Sequence, residues 1–138
     1  MLSRVFSFMR AIPLSILLLA SLGTGCATDS SDDILLGQWG GEVLGIRATT
    51  SSVVVTLPCG SGTVSTPVPV DENGAFEIRT VIHQFYGDYG ITLEGRKTGR
   101  FLEVEVYTSL PGPEPTTYLL VSGVVPDFRA YLCPGATP

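Results

Sequence analysis

From residue 34 onward, apolar and polar positions alternate in short runs, each cut off within a few residues by Gly, Pro, Asn or Asp. Leu44, Ile46 and Ala48 alternate with Gly45, Arg47 and Thr49. Phe76, Ile78, Thr80 and Ile82 fall on one face, Glu77 and Arg79 on the other. Leu102, Val104 and Val106 oppose Phe101, Glu103, Glu105 and Tyr107. A period of two is the period of a strand, and it puts the apolar set toward a core. The run 53–57 is continuously apolar, which predicts a strand buried on both faces. No stretch in this region sustains a helical period.

The pattern predicts strands over 35–49, 53–57, 76–82, 91–96, 101–108, 117–122 and 127–133, with an irregular or edge strand at 68–70 interrupted by Pro67 and Pro69. Pro58 to Gly62 reads as the end of a strand, Asp71-Glu72-Asn73-Gly74 as a turn, Lys97-Thr98-Gly99 as a hairpin connection, and 110–115 as a proline-rich loop. About eight strands in mostly up-and-down order predict an all-β fold, a small antiparallel β-barrel. Closing the sheet removes its edges and leaves an interior that is filled by side chains or holds one small ligand.

The first 25 residues follow a different pattern. Arg4 and Arg10 flank an apolar run over 11–22, which is about the length of a signal-peptide core and short of the ~20 apolar residues that a membrane span requires. Residues 1–25 are therefore expected to be an export signal. Leu22-Gly23-Thr24-Gly25-Cys26 resembles the bacterial lipobox, in which small residues precede a cysteine that is lipidated before the signal is removed. Gly23 departs from it, since the aliphatic residue sits one place earlier, at Leu22. The alternative is an ordinary cut after Ala27, with Gly25 and Ala27 as the small residues. Lipidation of Cys26 would make residues 26–33 an anchor and polar tether, and would place the domain 34–138 at the bacterial cell envelope, on the outer membrane by resemblance to known sorting patterns. The alternative cut would leave a periplasmic or secreted soluble protein.

Charge and cysteine usage narrow the function further. The chain carries eight Lys and Arg against thirteen Asp and Glu. Loss of Arg4 and Arg10 with the signal leaves a more acidic domain, which excludes the basic footprint of nucleic-acid binding. Cys59 and Cys133 are an even pair in a small exported domain, and such pairs form disulfides. Closing so long a loop is worth roughly 4–5 kcal/mol in the chain-entropy account.

Two further resemblances follow from these residues. Gly37-x-Trp39 near the start of the domain, with Arg129 near its end, looks like the calycin pattern of lipocalins and avidins, which implies a tryptophan at the closed end of the barrel with an arginine packed over it. Gly37-Gln38-Trp39-Gly40-Gly41, Cys59 with its glycine-rich sequel, 71–76 and the C-terminal cysteine resemble a group of small exported bacterial proteins without an assigned activity.

No residue constellation points to catalysis. His83 is the single histidine and has no nucleophile motif around it. Glu103 and Glu105 have the i, i+2 spacing of a carboxylate pair, but Leu102 and Val104 take the core side and leave them to solvent. The 71–74 segment begins like a calcium loop, yet Phe76 and Ile82 stand where that loop needs Gly and Glu. The expectation is a non-enzymatic lipoprotein without metal or cofactor. It would bind a small apolar ligand if the barrel is open, with Trp39 at the closed end and Phe85, Tyr86 and Tyr89 at the mouth. The alternative is a protein-interaction or enzyme-inhibitor module at the envelope.

Overall fold

The computed structural model describes residues 33–112 and 114–133. The expected export signal, Cys26 and nearly all of the expected tether lie outside these. The described chain forms eight antiparallel strands: β1 (Gly37–Gly40), β2 (Gly45–Ala48), β3 (Val53–Leu57), β4 (Gly60–Val64), β5 (Ala75–Gln84), β6 (Tyr89–Thr98), β7 (Phe101–Thr108) and β8 (Thr116–Ser122). Each pairs with the next, and β8 returns to β1 through Trp39↔Ser122 and Gly40↔Val121, which closes the barrel.

Inward positions follow the alternation. Ile46, Val53, Val55, Ile78, Ile82, Leu93, Leu102, Val104 and Leu120 are at or near zero exposure, and no polar or charged side chain is buried among the described residues. On β7 the partners of this set, Phe101 and Glu103, are exposed, and Glu105 is half-buried. Val54 and Thr56 on β3 are also half-buried, so this strand presents a partly wet outer face rather than two buried ones.

Consecutive turns fall at alternate ends. Residues 41–44, 58–59, 85–88 and 109–115 lie at one end; 49–52, 65–74 and 99–100 lie at the other. The domain begins at this second end, and its own apolar residues seal it. Leu35 donates its backbone N–H to Val68, Val70 donates to Asp33, and the side chains of Leu35, Val68 and Val70 are buried. Trp39 is 3% exposed and donates Nε1–H to the Leu36 carbonyl at 3.2 Å, which ties its ring to the segment entering the barrel at the sealed end.

Four expected elements take another form. Residues 35–49 make two strands, because Gly41 donates its N–H to the Leu44 carbonyl and closes a tight turn. The stretch 58–62, expected to end a strand, instead runs into β4 at Gly60. Its glycines are required where β4 meets β5: a Cβ on Gly60 would lie 2.7 Å from the His83 carbonyl, and one on Gly62 would lie 2.7 Å from Thr80 Oγ1. Residues 68–70 form only the isolated bridge Ile34↔Pro69, since the prolines cannot donate to a ladder. Residues 127–133 are not a strand. They belong to a strap that leaves β8 at Gly123 and crosses the outer wall, where Pro126 lies over Gly45 and the Val124 carbonyl occupies the place of a Gly40 side chain.

The strap ends in the disulfide Cys59–Cys133, with Cα atoms 5.3 Å apart. The expected pairing is present.

Candidate functional site at the aromatic end

The β5–β6 connection is built from Gln84 to Tyr89. Gly87 N–H donates to the Gln84 carbonyl, and its φ of 132° suits glycine. At the base, His83 Nδ1 lies 2.9 Å from Asp88 Oδ2, and Gln84 Nε2 donates to the Tyr89 hydroxyl at 3.4 Å. With the polar groups tied across the base, the chain between them is turned outward. Phe85 is 78% exposed and Tyr86 72% exposed, and their rings meet edge to face at 5.4 Å.

Tyr89 has a different role. It pairs with Ile82, packs against the core and is half-buried, and that burial raises its phenol above the ordinary tyrosine value. The expectation put Trp39 at one end of the barrel and Phe85, Tyr86 and Tyr89 at the other. Trp39 lies in the core at the sealed end, Tyr89 is a rim residue of the core at the other end, and only Phe85 and Tyr86 project. The space between the two ends is filled by the aliphatic side chains of the strands.

The disulfide adds a residue that sequence reasoning did not single out. Gly60 pairs with Gln84, so Cys59 stands beside the base of the aromatic turn. Cys133 is bonded to Cys59 and carries Leu132, 96% exposed, and Tyr131, 41% exposed, to the same end. Phe85, Tyr86 and Leu132 are exposed at that end, as are Leu110 of the β7–β8 connection and Val125 of the strap. Isolated exposed apolar residues are ordinary on a protein surface; several gathered at one loop cluster mark an interaction surface. The signal for Leu132 was available only through the cysteine next to it.

The other candidates are dispersed. His83 and Asp88 are 69% and 54% exposed and brace the turn; Ser61 stands opposite His83 across the β4–β5 pair, but no hydrogen bond joins the two side chains. Glu105 lies across from Glu94, and Glu94 from Glu77, which forms a carboxylate row along the outer wall of β5, β6 and β7. Like charges directly opposite are unfavourable. Arg79 offsets this by bridging Glu77 at 2.8 Å, and Tyr107 by hydrogen-bonding Glu105, a bond that holds the Tyr107 phenol above its ordinary value. A depression of about 650 Å³ opens on this wall, lined in part by Asp71, Phe76, Glu94, Arg96 and Glu105. Among the described residues no group of three or more His, Cys, Asp or Glu side chains is placed to hold a metal ion.

Arg129 does not reach the tryptophan. Its side chain is 90% exposed and bound to Asp127, whose carboxyl is held below the usual range by that guanidinium. Compared with known families, characterised proteins and solved structures, the chain matches no family model, no curated protein and no solved structure.

Proposed function

We propose that this protein is an exported, lipid-anchored β-barrel that works without catalysis as a docking module at the cell envelope, and that it engages a partner through Phe85, Tyr86 and Leu132. The observation that carries this reading is the contrast between a barrel interior filled by aliphatic side chains and an end that exposes two aromatic rings and a leucine. A carrier of a small apolar ligand needs the reverse, a lined cavity with its aromatics turned inward. Aromatic and large aliphatic side chains on a braced turn have the character of interface anchors, because few of their degrees of freedom remain to be lost on binding.

The test is site-specific photo-crosslinking in intact cells that make the protein. A photoreactive side chain at Tyr86 is compared with one at Ser51, exposed in the turn at the opposite end. A discrete adduct at Tyr86, absent at Ser51 and abolished by Phe85→Ser, is the expected result. Equal yields at both positions, or a dissociable small molecule in the native mass of the purified protein, would overturn it.

A further inference from the structure

We infer that the Cys59–Cys133 bond is a local clasp that assembles the docking surface, so that the surface is complete only in the oxidised protein; this rests on the docking reading above. The strap that carries Tyr131 and Leu132 is held to the barrel by very little. Gly123, with φ of 78°, donates its N–H to the Gln38 carbonyl, and Val124 donates to Val121. From Val125 to Cys133, no backbone hydrogen bond among the described residues joins the strap to a strand. The bonds it makes are its own: Tyr131 N–H to the Phe128 carbonyl, and Arg129 to the Asp127 carboxylate. Phe128 and Tyr131 also meet within the strap, with ring centroids 6.4 Å apart.

Phe128 is half-buried, and two attachments to the barrel are defined. One is the seat of Pro126 on the glycine wall, where a Cβ on Gly45 would come within 2.6 Å of Pro126 Cγ. The other is the disulfide at the far end. Leu132 is almost fully exposed, so packing does not fix it at the end that carries Phe85 and Tyr86; the covalent path through Cys133, Cys59 and Gly60 to Gln84 does. The strands, in contrast, are laddered around the whole barrel without using any strap residue.

Both cysteines are half-buried rather than sealed, and a dithiol can reach them. Attack by one thiolate of the dithiol on a disulfide sulfur gives a mixed disulfide, which the second thiol resolves. The S–S bond breaks, Cys59 and Cys133 each gain one electron and one proton, and the dithiol leaves as its own disulfide. The strap is then free beyond Pro126 and removes Leu132 and Tyr131 from the aromatic turn, while the barrel stays closed. A chain still in a reducing compartment carries an incomplete surface, and the surface forms when the exported chain is oxidised.

The test uses the mature protein purified from its membrane in detergent, oxidised and after dithiothreitol. Trypsin cleavage after Arg129 is followed by mass, with Trp39 fluorescence as the monitor of the barrel. Local release predicts cleavage at Arg129 at least about tenfold faster after reduction, with Arg47, Arg79 and Arg96 in the strands still resistant and the fluorescence unchanged. An unchanged rate at Arg129 would show that Pro126 alone holds the strap, and loss of the strands together with it would show a global staple; either overturns the clasp. The crosslinking assay is then repeated with C133S and with L132S, which keeps the disulfide. Both should lose most of the Tyr86 adduct. An undiminished adduct in C133S or L132S refutes the assembly of the surface by the clasp and leaves docking intact. Absence of any Tyr86 adduct in the parent protein refutes docking and, with it, this inference, even where trypsin shows a local strap.

Discussion

Replacing Gly95 by alanine tests how the core is fitted together. Gly95 on β6 is the cross-strand partner of Phe76 on β5, and the Phe76 ring lies over it at 6% exposure. A Cβ built on Gly95 would lie 2.7 Å from both Cε atoms of that ring and closer still to Cζ. Carbon atoms in contact prefer roughly 3.5–4.0 Å, so the ring has to move by about an ångström. It is buried, and forcing it aside carries an overpacking cost of about 1–3 kcal/mol. Against this stands a gain of roughly 0.4–1 kcal/mol from a less flexible unfolded chain. The overpacking term is the larger, and Gly95→Ala should destabilise by about 1–2 kcal/mol. The same substitution in a Phe76→Leu background meets no ring and should be close to neutral. Urea unfolding followed by Trp39 fluorescence gives all four corners of the double-mutant cycle, and the expected coupling is about 1 kcal/mol or more. Equal costs of Gly95→Ala in the two backgrounds would refute the reasoning.

At the β4–β5 connection, Asp71 Oδ1 accepts the N–H groups of Asn73 and Ala75, both at 2.8 Å. Asp71→Ala should cost roughly 1–2 kcal/mol in denaturant unfolding. Gly74→Ala should cost more, because Gly74 has φ of 79° and the Lys97 carbonyl stands where its Cβ would go. The phenols of Tyr107 and Tyr89 are both raised above 10.0, Tyr107 chiefly by its hydrogen bond to Glu105 and Tyr89 by burial. A raised phenol favours the protonated fold, so its contribution to stability is complete below the unfolded value and is lost as pH climbs through the folded one. Thermal melts should therefore fall on the alkaline side of pH 10. Ultraviolet titration of Glu105→Gln should show one phenol moved down and Tyr89 unmoved; two unmoved phenols would disprove the assignment.

Legibility in the sequence followed the solvent. On β7, water on one side and core on the other wrote a clean alternation, and Leu102 and Val104 fell inward as read. The disulfide was legible from the even count of cysteines after Cys26, in a domain expected to be exported. What escaped was set by contacts between backbones. β4 is Gly-Ser-Gly-Thr-Val, a sequence of low strand propensity, and its glycines mark the places where β5 leaves no room for a side chain. The motif Gly37-Gln38-Trp39-Gly40-Gly41 drew attention through its tryptophan, whereas Gly40 and the later Gly45 serve the strap on the opposite face of the sheet. Neither the strap nor Leu132 announces itself by a period, because neither is laddered to a neighbour. The aromatic turn was visible as a break in alternation. Its division into a rim residue, Tyr89, and two projecting ones was not, since it depends on where β6 begins.

The even number of strands explains why a strap is present. A chain that begins at the sealed end and runs up and down through eight strands finishes at the end where it started. Reaching the aromatic end again requires another passage along the wall, and residues 124–133 make it over the glycines. The same parity orients the surface with respect to an anchor. With Cys26 lipidated, only residues 27–32 separate the anchor from Asp33 at the sealed end, a reach of at most about 20–25 Å when fully extended. The longest strands, β5 and β6, have ten residues each, roughly 33 Å at the rise of a strand. A tether shorter than the strands keeps the sealed end toward its own membrane and presents Phe85, Tyr86 and Leu132 on the far side. A surface so placed meets proteins of the surrounding space before it meets the lipid that anchors it, which is why a protein partner, rather than the bilayer, is the occupant to look for.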